Sequence, residues 1–221
     1  MQASYNDKRN IFNKSHLIET IVRNRIKDTI FYKQYLYLTN EQTILPVIVN
    51  HVKYISGLDA NNRPGPFLCC LLRLLEISPS SIIIQIYLNQ TNFKYLTALI
   101  LLYIRMTYKS HEVYSITDPY FSNFSRLKVQ LSSPKFHNGI AVNYDFTFMD
   151  VFVDELLHND RVVDILLPRM ESRLNLMDKG LLGKRQYFIT TLDEEETDEI
   201  TPIEPQEISH QEDDEFQSDS D

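Results

Sequence analysis

The stretch Asn92 to Tyr108, NFKYLTALILLYIRMTY, leaves this chain few choices. Phe93, Leu96, Ile100, Tyr103 and Thr107 recur at helical spacing. Ala98, Leu99, Leu101, Leu102 and Met106 cover most of the remaining circumference. A helix that is apolar nearly all round is either a core helix or a membrane span. A span needs about 20 apolar residues, whereas Lys94 and Arg105 fence off a shorter run from Tyr95 to Ile104. The core reading follows, and with it no membrane. Burying these side chains and ordering their backbones involve free energies of similar size and opposite sign. The helix therefore needs neighbours, and the rest of the chain is expected to pack around it.

Composition narrows the fold further. Gly is scarce, at 5 in 221 residues, which disfavours turn-rich β-sandwiches and glycine-loop nucleotide binding. The net charge of −8 hides an asymmetry: residues 193–221 hold 14 acids and no Lys or Arg, so residues 1–192 carry 22 bases against 16 acids, about +6. The two cysteines, Cys69 and Cys70, are adjacent in an apolar run; they read as buried reduced thiols of an intracellular protein. MQASYNDKRNIFNKS lacks an apolar core, so no secretory signal is expected there.

Periodicity predicts a mainly α, compact multi-helix domain around the central helix at about 92–108, with one small β-hairpin at about 126–148 and a disordered acidic C-terminal tail. The domain is placed at 16–180, between a flexible 1–15 and a tail at 181–221 whose acids cannot bury enough apolar surface to fold. Ile18, Ile21, Val22, Arg25 and Thr29 predict a first amphipathic helix, with Arg25 on the apolar stripe and paired to a buried acid. Tyr32, Tyr35 and Tyr37 are expected in the core. Thr39-x-x-Gln42 reads as a capping box for a helix over about 40–55, with Pro46 implying a bend or a late start. Residues 57–66 form a loop. Pro66 opens a buried helix through Glu76, and Ser78-Pro79 starts another over 79–89. Asp118-Pro119 opens a short helical turn. Leu127, Val129 and Leu131, then Val142, Tyr144, Phe146 and Phe148, alternate as strands around an Asn138-Gly139 turn. Thr147-x-x-Asp150 starts a helix with Met149, Val153, Leu156 and Leu157 inward. Asp160 is expected to cap a further helix, kinked at Pro168, with Val163, Leu166, Leu167, Met170 and Leu174 on its stripe.

Catalytic constellations are missing from this pattern. Glu155-x-x-His158 has di-iron spacing, but such a site needs a second pair and two further Glu on neighbouring helices; the other match, Glu207-x-x-His210, lies in the tail. His51 reads as a satisfied core histidine. No nucleophile elbow or phosphate loop is present in the sequence, so the chain reads as a non-enzyme with no catalytic, cofactor or metal residues and no small-molecule substrate. Its basic side is more informative: Lys8, Arg9, Lys14, Arg23, Arg25, Lys27 and Lys33 face three acids in the first 33 residues. That excess suits either an RNA surface or a solvated helix face.

Four stretches together resemble the pre-mRNA-splicing factor 38 family: Ile21-Val-Arg-Asn-Arg-Ile26, Pro66-Phe-Leu-Cys-Cys-Leu71, Phe93-Lys-Tyr-Leu96 with Tyr103-Ile-Arg-Met-Thr107, and Val153-Asp-Glu-Leu-Leu-His-Asn-Asp-Arg-Val-Val-Asp-Ile-Leu-Leu-Pro-Arg169. The likeness covers about residues 16–176. It implies a nuclear, non-enzymatic splicing factor that scaffolds the tri-snRNP or precatalytic spliceosome and is required for its activation. The implied partners are a zinc-finger factor, a long-helix factor and large tri-snRNP proteins, with small nuclear RNA or pre-mRNA nearby. The short acidic tail departs from the Arg/Ser-rich tails of animal and plant members and matches compact fungal-type ones. Partner contact is expected on the charged face of a helix pair over 149–176, at Asp150, Asp154, Glu155, Asp160, Arg161 and Asp164. RNA would lie near Lys14, Arg23, Lys27 and Lys33. The acidic tail, with Ser218 and Ser220 as phosphorylation candidates, is expected to solubilise the chain or to screen its basic body.

Overall fold

The computed structural model describes residues 13–137 and 139–185, so the expectations for residues 1–12 with Lys8 and Arg9, for Asn138, and for the acidic tail from 186, with Ser218 and Ser220, lie outside the described residues. The last residues of the expected arm are described, and Lys14–Leu17 form a helical turn with Ser15 buried. Its centre is α5 (Lys94–Thr107), in which every residue from Leu96 to Met106 is buried. Around α5 pack α1 (Thr20–Asp28), α2 (Ile44–His51), α3 (Pro66–Ile77), α4 (Ser81–Leu88), α6 (Ser110–Thr117) and α7 (Met149–His158). None of the described helices is long and apolar enough to cross a membrane. The fold is mainly helical with a small antiparallel hairpin, as the periodicity predicts.

That hairpin joins β1 (Arg126–His137) to β2 (Ile140–Phe148) in antiparallel register, Arg126 opposite Phe148 and Gln130 opposite Tyr144, with a register shift between Gln130 and Lys135. One of its faces docks on the body. Leu127 is fully buried, and Ile55 adds a parallel bridge: its N–H donates to Lys128 O, and its carbonyl accepts from Gln130 N–H, both at 2.8 Å.

Several sequence expectations need correction. The inward stripe of α1 is Val22 and Ile26, continued by Leu17 and Ile18 of the turn before it and rotated from the expected one, so Ile21 and Arg25 are exposed, and among the described residues Arg25 meets no buried acid. The buried cation is Arg105, expected to mark the edge of the apolar run. Tyr32 is in the core, but Tyr35 and Tyr37 are largely exposed. The late start holds for α2: Asn40, not Thr39, caps the turn before it, accepting from Gln42 and Thr43 N–H groups. Pro46 therefore sits in the first turn, where its missing N–H costs nothing. The sequence reading passed over α6 altogether, although Ser110, Val113, Tyr114 and Thr117 have helical spacing and Lys109 N–H donates to Glu112 at N3.

The largest correction concerns the expected helix after Asp160. Residues Arg161–Val162 and Ile165–Leu166 instead form a tight hairpin, β3–β4, and helix resumes only as α8 (Arg173–Asp178) behind a Ser172 cap. The turn residues Val163 and Asp164 have φ of 52° and 59°. Two consecutive left-handed residues match the two-residue hairpin turn that twists with its strands. A β-branched residue there is strained, and tertiary bonds hold it. Leu58 N–H donates to Asp164 Oδ2 at 2.8 Å, and Gly57 is so close that an added Cβ would lie 2.2 Å from that oxygen. Leu167 N–H closes the module on Asp160 O. Of the expected stripe only Leu167 is buried, with Val163 and Met170 half-buried and Leu166 and Leu174 exposed, because the inward residues of the hairpin are Val162, Ile165 and Leu167, alternating about the turn.

Candidate functional site

A groove of about 500 Å³ opens where β1–β2, α7 and β3–β4 meet. Ile55, Val129, Phe152 and Val162 give it an apolar floor, while Asp145, Glu155, Arg161 and Asp164 stand at its rim. Each wall has a cause in the sequence. The docked face of β1 presents Val129 because Ile55 fixes its register. Helical spacing turns Phe152 and Glu155 to one side of α7. The strained turn throws Asp164 over Gly57.

Rim charges are paired unequally. Arg161 donates to Glu19 Oε1 at 2.7 Å, and Leu166 N–H reaches the same oxygen, so Glu19 ties the start of α1 to β3–β4. Asp145 is held by Lys135 at 2.7 Å; that bond, with one from Phe146 N–H, keeps its carboxyl below the ordinary range. Asp164 is taken by Leu58 N–H. Glu155 has no ion-pair partner among the described residues, and partial burial, helped by the neighbouring Asp154 charge, pushes its pKa up. A carboxylate in that state gains from an incoming cation.

Beneath the groove lies Arg105, 3% exposed. Its Nε donates to Leu156 O at 2.7 Å and Nη1 to Pro168 O at 2.8 Å. One core guanidinium thus ties the last turns of α7 to the chain leaving β4, and so fixes the spacing of two groove walls. Within the sequence its only signal is a charge inside an otherwise apolar helix.

The structure brings together Glu155, Arg161 and Asp164 of the six expected partner-binding residues. Asp150 is half-buried at the start of α7, where its N–H donates to Asn123 O. Asp154 pairs with His158 at 3.1 Å on the solvent face, and Asp160 is exposed outside the groove. Of the expected RNA-proximal bases, Lys27 and Lys33 border one pocket with Arg73 and Glu76, and Lys14 and Arg23 do not line it. Lys14 Nζ reaches back to Tyr103 OH at 3.4 Å, and burial lowers its pKa. Arg23 reaches Thr20. Lys27 is bound at 3.0 Å by Glu76, and Lys33 lies 3.7 Å from Asp28. The sequence reading missed the Glu76 hub. Burial works to raise the Glu76 pKa, but bonds from Tyr32, Lys27 and Arg73 outweigh it and hold the carboxyl low.

The PRP38 family model matches residues 7–180. The chain is 37% identical over 166 residues to pre-mRNA-splicing factor 38 of Schizosaccharomyces pombe, covering 75% of this chain and 74% of that one. It is 32% identical over 189 residues to pre-mRNA-splicing factor 38A of Danio rerio, covering 85% of this chain but 58% of the fish protein. It thus spans little more than half of that vertebrate relative. Among solved structures it resembles a chain of the Snu23–Prp38–MFAP1(217–258) complex of Chaetomium thermophilum, with TM-score 0.74 and 33% identity, over 83% of this chain and 92% of that one.

Proposed function

The chain belongs to the PRP38 family of pre-mRNA-splicing factor 38 homologues, and on that premise we propose that it is a nuclear protein-interaction scaffold of the precatalytic spliceosome. Members of the family are non-enzymatic splicing factors. Residues 16–180 would form the scaffold, flanked by the arm at 1–15 and the acidic tail from 181. Its partners would be the counterparts of Snu23 and MFAP1, with which the Chaetomium thermophilum homologue is assembled. The groove between β1–β2, α7 and β3–β4 would seat side chains of one of these partners, an amphipathic segment carrying Lys or Arg.

The observation that carries this docking site is Glu155: a carboxylate on an apolar-floored groove, raised in pKa and without an ion-pair partner among the described residues. A partner cation would relieve both the partial desolvation and the repulsion from Asp154. Affinity purification of the tagged full chain from nuclear extract tests the reading. The wild type should bring down spliceosomal proteins, and Asp154→Lys/Glu155→Lys should lose one partner by tenfold or more. Asp178→Lys, at the far end of α8, should lose none. Absence of spliceosomal proteins from the wild-type sample overturns the scaffold; their undiminished capture by the double variant overturns the groove.

A further inference from the structure

We propose that the outward face of the β1–β2 hairpin is a binding platform for single-stranded RNA. Arg126, Lys128 and Gln130 on β1 stand opposite Phe148, Phe146 and Tyr144 on β2, and Gln130 and Phe146 also border the groove. Cations and rings interlock diagonally. The Arg126 guanidinium lies 3.7 Å from the centre of the Phe146 ring, and Lys128 Nζ lies 3.8 Å from that of Tyr144. Tyr54 packs edge-on against Tyr144 at 5.3 Å. Lys94 extends the basic side, donating to Arg126 O from above the Tyr95 ring.

This ladder stays open to solvent: Phe146 is 55% exposed and Phe148 44%. Cross-strand pairing stabilises a hairpin, yet that role does not require two half-bare phenyl rings on its outer side. Among the described residues, no carboxylate forms an ion pair with Arg126, Lys128 or Lys94. The charge is therefore positive and uncompensated, which selects an anionic occupant. Planarity selects further. An arginine stacked on a ring still offers its second face and its N–H edge, and bases stack on aromatic rings and on guanidinium planes alike. Same-face residues along a strand repeat at about 6.8 Å, about twice the roughly 3.4 Å rise per nucleotide of a stacked strand, so Tyr144, Phe146 and Phe148 are spaced to engage successive bases of an unstacked, drawn-out single strand, one base per ring. Neighbouring cations would meet its phosphates, the combination that single-strand binding proteins use.

The test uses the full chain, a fluorescein-labelled 12-nucleotide oligouridylate, and fluorescence anisotropy over 50–300 mM salt. Binding should weaken steeply with salt. Phe146→Leu and Phe148→Leu, which keep apolar bulk but remove the ring, should each weaken binding about fivefold or more at unchanged salt slope. Arg126→Gln and Lys128→Gln should each lower the slope by about one. Lys33→Gln, on a different face, should leave both unchanged, and circular dichroism checks that every variant is folded. No binding by the wild type at 50 mM salt overturns the proposal, as does binding to which the four hairpin substitutions make no difference. Should those substitutions instead abolish capture of a spliceosomal protein and leave oligouridylate binding intact, the face belongs to a protein and the RNA assignment is wrong. Because the assay contains no other protein, its failure leaves the groove untouched.

Discussion

Replacing Arg105 with methionine removes a charge from the core and yet should destabilise the protein. The side chain is 3% exposed and donates to Leu156 O and Pro168 O. Methionine fills much of the volume but leaves both buried carbonyls without that donor, at about 1–3 kcal/mol each. Relief of the buried guanidinium offsets part of the loss. The expected net cost is about 2–4 kcal/mol, or a fall in Tm of roughly 4–15 °C for a chain of this length. Arg105→Lys keeps the charge but cannot span both carbonyls, and should fall between wild type and Arg105→Met. Urea unfolding followed by circular dichroism gives the free energies. Hydrogen exchange adds a local readout: the Leu167 amide, bonded to Asp160 O, should exchange faster in Arg105→Met, while amides of α3 keep their order of protection. A change within 0.5 kcal/mol, with Leu167 exchange unaltered relative to α3, would refute the idea that this arginine holds the groove walls together.

Four further outcomes follow from local geometry. Val163→Gly relieves a left-handed β-branched residue with φ of 52° and should raise stability by about 1 kcal/mol, whereas Gly57→Ala, which drives a Cβ against Asp164, should lower it by about 2 kcal/mol or more; both are read from urea midpoints. Glu76 has a lowered folded pKa, so its hub contributes stability that is present above the unfolded value of about 4.3 and is lost as pH falls through the folded value; the gap in urea midpoint between wild type and Glu76→Gln should be constant near pH 6–7 and shrink below pH 4.3. Burial pushes the Cys69 thiol up to about 12 and Cys70 higher still, so neither should react with iodoacetamide at pH 8 until the chain is unfolded.

The helical frame was legible because its signal is local: the all-round apolar run of α5, the proline start of α3, and the strand alternation of β1 and β2 each declare their element within a few residues. What escaped depends on long-range contact. Arg105 looks like the boundary of an apolar run until Leu156 and Pro168 are placed beside it. The 160–167 segment has the apolar spacing of a helix, and only the Leu58–Asp164 bond across 106 residues makes a left-handed turn tolerable there. The stripe of α1 was misjudged by roughly one position, because Ile21 and Ile26 are equally apolar and only packing on α3 chooses between them. The same limit divided the expected partner-binding acids. Their number was readable, but which of them share a rim depends on where the chain turns after α7.

The groove beside β3–β4 is the proposed working surface of this protein. Hydrogen exchange by mass spectrometry, on the full chain alone and co-expressed with the counterparts of Snu23 and MFAP1, measures this directly. The groove walls at 129–132 and 155–166 should gain protection in the complex, with α5 unchanged because it is already buried. If protection appears only elsewhere and those two segments exchange as in the free chain, the groove is not where this protein meets its partners.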